Sequence, residues 1–218
     1  LRCDSRFEGE ARARGFLRIA GVDETGRGSL FGPVFAAAVI LSPDQPIRGL
    51  NDSKQLDPET RERLARQIRA TARAWSVAFA DAGEIDRINI LEASRLAMKR
   101  AVEQLSPPPD FLLVDAVSID LPVPQRSLIK GDARCRSIAA ASILAKVDRD
   151  ACLREWDDKY PQYGLGENKG YSTPDHLRAL AVHGPSPEHR ATFEPVRRLL
   201  DPQLLLPLTV EAEDRVCR

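Results

Sequence analysis

With 218 residues, 43% of them apolar and 29% charged, the chain has the profile of a globular protein able to bury one sizeable core. Lys plus Arg and Asp plus Glu both number 32, so a net charge of zero argues against binding nucleic acid through bulk charge. No stretch approaches the roughly 20 apolar residues of a membrane span, the longest being Val34 to Leu41, and no secretory signal pattern is evident. Locally, basic residues cluster from Arg126 to Arg136 and from Arg178 through Arg190 to Arg197 and Arg198, which leaves room for a patch. Cys3, Cys135, Cys152 and Cys217 form no Cys-x-x-Cys pair and stand near no His at zinc-ligand spacing. They read as unpaired thiols of a reducing, cytoplasmic compartment.

In chain order, residues 1–15 are polar and mixed in charge, without strong periodicity, and read as a loosely held arm. Phe16 to Val22 reads as a strand ending at the polar run Asp23 to Ser29, and Val34 to Leu41 as a strand buried on both faces. The glycine-containing segment between them is short enough to join neighbouring strands. Asp57-Pro58-Glu59 combines an N-cap, a proline whose missing N–H costs nothing, and a first-turn acid, so it starts a helix with Leu64 and Ile68 facing inward. Trp75 to Ala80 reads as a strand. Leu91, Met98, Val102 and Leu105 recur at helical spacing until Pro107-Pro108-Pro109 stops the helix. Phe111 to Val114 is a short strand with Asp115 at its end.

From Arg136 to about Asp157 the pattern is helical, with Ala140, Leu144, Val147 and Ala151 on one face. The small residues Ala139 to Ser142 permit close approach of this helix to a sheet. Thr173-Pro174-Asp175 starts another helix, and Gly184 ends it. The Leu-rich patch from Leu199 to Leu208, broken by Pro202 and Pro207, either packs on the core or forms a sticky tail. With no internal repeat and no low-complexity linker, the chain reads as one α/β domain: a core of about 16–198, an arm 1–15 and a tail 199–218.

Asp23, Glu24, Asp115 and Asp132 each stand where an apolar strand or a glycine-containing turn ends. Hard cations such as Mg²⁺ and Mn²⁺ prefer oxygen ligands, and two of them roughly 4 Å apart activate a water and stabilise the leaving oxygen of a phosphodiester. Singly, each acid has a plainer reading: Asp23-Glu24 as a solvated strand end, Asp132 as a helix cap. Consecutive strand residues also point to opposite faces, so Asp23 and Glu24 share a site only if the chain departs from regular β geometry there. Thr25-Gly26-Arg27-Gly28 supplies the flexibility for such a departure.

Gly26-Arg27-Gly28 lets backbone groups approach a ligand closely, and Arg27 can pair with a phosphate. Backbone groups there can also distinguish ribose through its 2′-OH; the alternative is a simple tight turn. Gly21 and Gly26 have the spacing of a nucleotide-binding P-loop, but Arg27-Gly28 stands where Lys followed by Ser or Thr is needed, and two acids inside the loop would repel phosphates.

The stretch GVDETGRGSLFGPV resembles the opening signature of the type 2 ribonucleases H. LNDSKQL (50–56), FLLVDA (111–116), IKGDARCRSIAAASILAKVDRD (129–150), NKGYSTPDH (168–176) and GPSPEHRATFEPV (184–196) are similar to that family's later motifs, in order. The resemblance implies an RNase H-like fold, a mixed central β-sheet flanked by helices. It implies a metal-binding quartet at Asp23, Glu24, Asp115 and Asp132 holding two Mg²⁺ or Mn²⁺ ions. It places substrate contacts at Gly26, Arg27, Gly28 and Tyr171, the tyrosine stacking on the sugar beside an RNA–DNA junction. Lys54 and Lys146 match positions near the substrate backbone or the site. Without the resemblance, Tyr171 would pass for a core or surface aromatic, and the two lysines for solvated side chains.

The implied substrate is an RNA–DNA hybrid, or duplex DNA with embedded single ribonucleotides. Cleavage on the 5′ side of the ribonucleotide would leave 5′-phosphate and 3′-hydroxyl ends, an activity of ribonucleotide excision and DNA repair. The alternative is a nucleic-acid-binding module of the same fold without catalysis. The type 3 enzymes usually carry an extra N-terminal domain, which the fifteen residues before this core disfavour. A monomer is the default, and a weak protein contact through the Leu-rich tail is implied for some relatives, although no clear clamp-binding motif stands there. Departures from the family pattern are Thr25, Ser29, Phe31, Ala116 where Gly is common, and Asn168 where His is common.

Overall fold

The computed structural model describes residues 3–201. Five strands build one sheet: β1 (Ile19–Thr25), β2 (Val34–Ile40), β3 (Ala74–Ala80), β4 (Phe111–Asp115) and β5 (Gln125–Leu128). Their spatial order is β3-β2-β1-β4-β5, with β1–β2 and β2–β3 antiparallel and β1–β4 and β4–β5 parallel. The helices are α1 (Arg6–Ala13), α2 (Pro58–Thr71), α3 (Ala82–Ile88), α4 (Ile90–Glu103), α5 (Arg136–Lys159), α6 (Leu165–Asn168), α7 (Pro174–His183) and α8 (Glu194–Leu200). This is the mixed sheet flanked by helices that the family resemblance implies, of the α/β class that the sequence predicts.

Strand alternation sorts side chains to the two faces. Ala20, Val22, Ala36 and Ala38 pack with Ala93, Ala97, Met98 and Ala101 of α4. On the other face, Ala37 and Val39 meet Leu64 and Ile68 of α2 and Ala140, Ile143 and Leu144 of α5. β2 is buried throughout, which explains its unbroken apolar run. Where α5 crosses β1 the approach is so close that a Cβ on Gly21 would overlap the Ser137 and Ile138 backbone. A further cluster, including Phe31, Leu153, Tyr163, Leu165, Leu180 and Val196, fastens α6, α7 and α8 to the distal half of α5.

The predicted caps form: Asp57 accepts from Thr60 N at 2.8 Å, and Thr173 Oγ1 from His176 N at 3.3 Å. β1 begins three residues later than the apolar run predicts and continues through Thr25, because pairing with β2 extends to Thr25↔Phe35. β5 has the polar sequence Gln-Arg-Ser-Leu and no alternation signal; its pairing with β4 forms it. Several members of the basic clusters are engaged within the fold. Arg126 pairs with Glu10, Arg197 and Arg198 with Glu194, and Arg190 is fully buried. Cys3, Cys135 and Cys152 are free thiols, and the tail beyond 201, with Cys217, lies outside the described residues. No helix among the described residues is long and apolar enough to cross a membrane.

The expectation of a loose N-terminal arm is corrected. Residues 6–13 form a helix whose Phe7 and Ala11 pack with Ile19, Phe111, Leu113 and Ile138. Its Glu8 is buried and caps the first turn of α5, accepting from Ser137 N at 2.8 Å and Ser137 Oγ at 2.9 Å. Two apolar side chains and one carboxylate are too few to register as periodicity, yet the carboxylate satisfies a helix-end donor that α5 cannot satisfy itself. Glu8→Ala should therefore cost about 1–2 kcal/mol, lowering Tm by roughly 2–8 °C. Thermal denaturation checks this, and an unchanged Tm would mean that α1 is not docked.

Candidate active site

The end of β1, the end of β4 and the 131–133 turn meet at a cleft of about 220 Å³. Asp23, Glu24, Asp115 and Asp132 all line it, together with Thr25, Gly26, Arg27, Gly28, Ser53, Lys54, Ser142 and Tyr171. Strand geometry explains the meeting. β4 pairs with β1 only as far as Val22↔Val114, so beyond Val22 the β4-side edge of β1 is free. Asp23 and Glu24 both line the cleft there, Asp23 within hydrogen-bonding reach of Ser142 on α5. The predicted departure from β geometry is not needed, since β1 stays paired with β2 through Thr25.

The four acids differ in their surroundings. Asp23 is 5% exposed and accepts from Glu24 N at 2.8 Å. Burial, then the charges of Glu24 and Asp115, push its carboxyl well above the usual range, against a hydrogen bond from Ser142. Glu24 is raised by burial and restrained by Arg27, whose guanidinium lies 3.4 Å from Oε1, while its Oε2 is buried without a hydrogen-bond partner. Asp115 accepts from Gly131 N at 2.6 Å yet is raised by burial and by Asp132. Asp132 is raised by burial and by Asp52. No three His, Cys, Asp or Glu side chains among the described residues stand in a group able to hold a metal ion as placed: the four carboxylates line the walls without converging. Their chemistry nevertheless suits a hard divalent cation, being oxygen-only, mutually repelling and including one orphaned oxygen.

Tyr171, 38% exposed, lines the same cleft with its ring edge beside Gly28. The Arg149 guanidinium lies 5.5 Å from its ring centroid. Gly26 has φ +92°, and a Cβ there would overlap Arg149, so both conformation and space require glycine. Lys54 stands exposed on the rim. Lys146 does not line the cleft: one turn beyond Ser142 on α5, its ammonium sits 2.6 Å from Asp150.

Sequence reasoning missed several residues that shape the site. Ser53 and Ser142 are 2.9 Å apart, and both line the cleft; their only signal was membership in the matching motifs. Behind Tyr171, His176 and His189 form a buried pair with Nε2 atoms 3.1 Å apart. Ser186 N–H must donate to His189 Nδ1, at 2.9 Å, so His189 carries its proton on Nε2 and donates to His176 Nε2. His176 Nδ1–H then donates to the Tyr171 carbonyl at 2.9 Å. The two rings and three bonds thus set one direction of donation, ending at the backbone of Tyr171.

Comparison with known proteins agrees with a metal-dependent nuclease built on this sheet. The family described as Ribonuclease HII matches residues 20–196. The Ribonuclease HII of Solibacter usitatus is 66% identical over 197 residues, covering 90% of this chain and 86% of its own length. That of Koribacter versatilis is 53% identical over 211 residues, covering 97% and 83%. The crystal structure of ribonuclease H2 from Pyrococcus horikoshii shares the fold with a TM-score of 0.70 at 28% identity, covering 84% of this chain and 97% of that one. The chain belongs to the ribonuclease HII family and is an endonuclease of the ribonuclease H type.

The histidine pair gives a pH dependence. Burial, then the neighbouring His176, lowers His189 from 6.5 to about 4. Between these values the unfolded chain binds a proton that the folded chain refuses, so this contribution is intact above pH 6.5 and is lost as pH falls toward 4. Protonation of either ring also sets two N–H groups against each other. The wild type should lose up to about 3 kcal/mol more than His189→Asn between pH 7 and pH 4.5. Denaturant melts across that range test this, and parallel pH profiles would exclude a neutral pair.

Proposed function

We propose that the protein cuts the RNA strand of RNA–DNA hybrids, and single ribonucleotides embedded in duplex DNA, on the 5′ side of the ribonucleotide. The products carry 5′-phosphate and 3′-hydroxyl ends. The observation that carries this reading is that one cleft is lined by all four carboxylates together with the Gly26–Gly28 loop and Tyr171. Asp23, Glu24, Asp115 and Asp132 would hold two divalent ions, Mg²⁺ or Mn²⁺, which when bound lower the pKa of a water and neutralise the departing oxygen.

The chain's own residues supply the rest. Burial of Asp23 behind Ser142 fixes one carboxylate between the sheet and α5, so the site keeps its shape when charge enters. Gly26, Arg27 and Gly28 present backbone to the 2′-OH, Arg27 exchanges Glu24 for a phosphate oxygen, and the Tyr171 ring stacks on the adjoining deoxyribose. Lys54 meets the phosphate backbone at the rim. Lys146, held by Asp150, is left outside this set. We place these functions in the core of residues 16–198. Four carboxylates kept at the cost of burial and mutual repulsion argue against an inactive binding module.

The decisive assay incubates a labelled DNA duplex carrying one ribonucleotide with and without Mg²⁺ or Mn²⁺, beside an all-DNA control. Cutting 5′ to the ribonucleotide only with metal is expected. Absence of cutting under either metal by folded protein would overturn the reading. Asp23→Asn should lower kcat at least about 100-fold, if the ligand is essential to the charge stabilisation, while the fold is kept. Removing a buried, repelled charge should also raise the metal-free Tm above pH 7, each recovered kcal/mol giving about 2–4 °C.

A further inference from the structure

Arg190 is fully buried, yet no carboxylate pairs with it among the described residues. The nearby Asp86 is already engaged by Ala191 N, Thr192 N and Thr192 Oγ1 at 2.8, 2.9 and 2.6 Å. All three hydrogen bonds of the Arg190 guanidinium go to one loop. Nη2 donates to Gly26 O and Nη1 to Arg27 O, each at 2.8 Å, and Nε donates to Gly32 O at 2.9 Å. Burying a cation against carbonyl dipoles alone is expensive, so the arrangement calls for a reason beyond packing.

Peptide geometry supplies one. In a trans peptide unit the N–H points opposite to the C=O. With the carbonyls of Gly26 and Arg27 drawn inward to Arg190, the N–H groups of Arg27 and Gly28 are turned outward, toward the cleft that these residues line. Neither N–H has an acceptor among the described residues. From these observations we infer that Arg190 is a positioning residue that fixes the Gly26-Arg27-Gly28 loop as a backbone donor pair for the ribose 2′-oxygen and its adjoining phosphate. Successive outward N–H groups form an anion- and oxygen-accepting concavity, and the buried guanidinium adds positive potential beneath it. Arg149 blocks the loop from tilting the other way: it abuts Gly26 and donates to Lys169 O at 3.0 Å. Burial and the charge of Arg149 lower Arg190 to about 9, which leaves it charged at neutral pH.

The inference rests on the proposed function, since it names what orients the group that senses ribose. A lysine keeps the charge but cannot span three carbonyls with a planar fork. Arg190→Lys and Arg190→Met are therefore compared with wild type for binding to a duplex with one ribonucleotide and to the all-DNA duplex, with Ca²⁺ in place of Mg²⁺ to suppress cutting. All-DNA binding should stay within about twofold, while preference for the ribonucleotide falls about tenfold in both variants. An unchanged preference in folded variants would overturn the proposal, leaving Arg190 a merely structural group. Should neither variant fold, amide hydrogen exchange on the wild type gives the answer. The Arg27 and Gly28 N–H groups should exchange fast in the free protein and gain protection only with the ribonucleotide duplex; slow exchange in the free protein overturns the proposal. If wild type shows no ribonucleotide preference, the proposed function fails instead, and exchange in the free protein still reports the loop's orientation.

Discussion

The contact on which the site depends is the crossing of α5 over β1. Gly21 leaves no side chain between strand and helix, and the following alanines of α5 keep the distance short. That closeness lets Ser142 reach Asp23 and encloses the carboxylate almost completely. A larger residue at 21 would lift the helix, open Asp23 to water and separate β1 from Ser53, which hydrogen-bonds Ser142. The site therefore begins as a packing problem, solved with the smallest residues available. Glu8 extends the same logic, because a helix pressed so tightly on a sheet needs its first N–H groups satisfied by a buried acceptor.

Charge is then distributed against intuition. The acids line one cleft, where Glu24 and Asp115 raise Asp23 and Asp132 raises Asp115, and two buried guanidiniums, Arg149 and Arg190, form no salt bridge among the described residues. Neutralising the two sets by contact would remove the function of both. Kept apart, the carboxylates stay free of arginine partners other than Arg27, and the buried arginines stay committed to backbone carbonyls. The net charge of zero hides this separation entirely.

Much of the scaffold was legible because apolar period and end signals are written in side-chain type. The continuous run of β2, the caps at Asp57 and Thr173 and the helix starting at Arg136 all follow from local chemistry. The four acids could be picked out for the same reason, each closing a strand or turn. Buried polar residues leave no such trace. Glu8, Arg149, Arg190, His176 and His189 look in sequence like surface residues, since the backbone and side-chain atoms that they bond follow no local sequence pattern. β5 was invisible because pairing with a neighbour, rather than its own composition, makes it a strand. Alternation along β1 does not bar Asp23 and Glu24 from one cleft, because the β4 neighbour stops at Val22↔Val114.

The departures from the family pattern show how the Gly26–Gly28 loop and the Tyr171 turn are tied together. Asn168 takes the place of a common His and uses both ends of its amide: Nδ2 donates to Tyr163 O at 2.6 Å, and Oδ1 accepts from Gly170 N at 2.7 Å. Ser29 donates to Phe31 O at 2.8 Å, and Leu30 N donates to Gly170 O at 2.8 Å, so the turn before Tyr171 is stitched to the end of the Gly-Arg-Gly loop. Ala116 occupies φ 54°, where a Cβ costs roughly 1–2 kcal/mol relative to glycine, but it lies just past Asp115 and outside this seam. Local strain at Ala116 is thus separate from the bonds that join the Gly26–Gly28 loop to the Tyr171 turn. The Gly26–Gly28 loop and Tyr171 share one set of backbone bonds, and displacement of either carries the other with it.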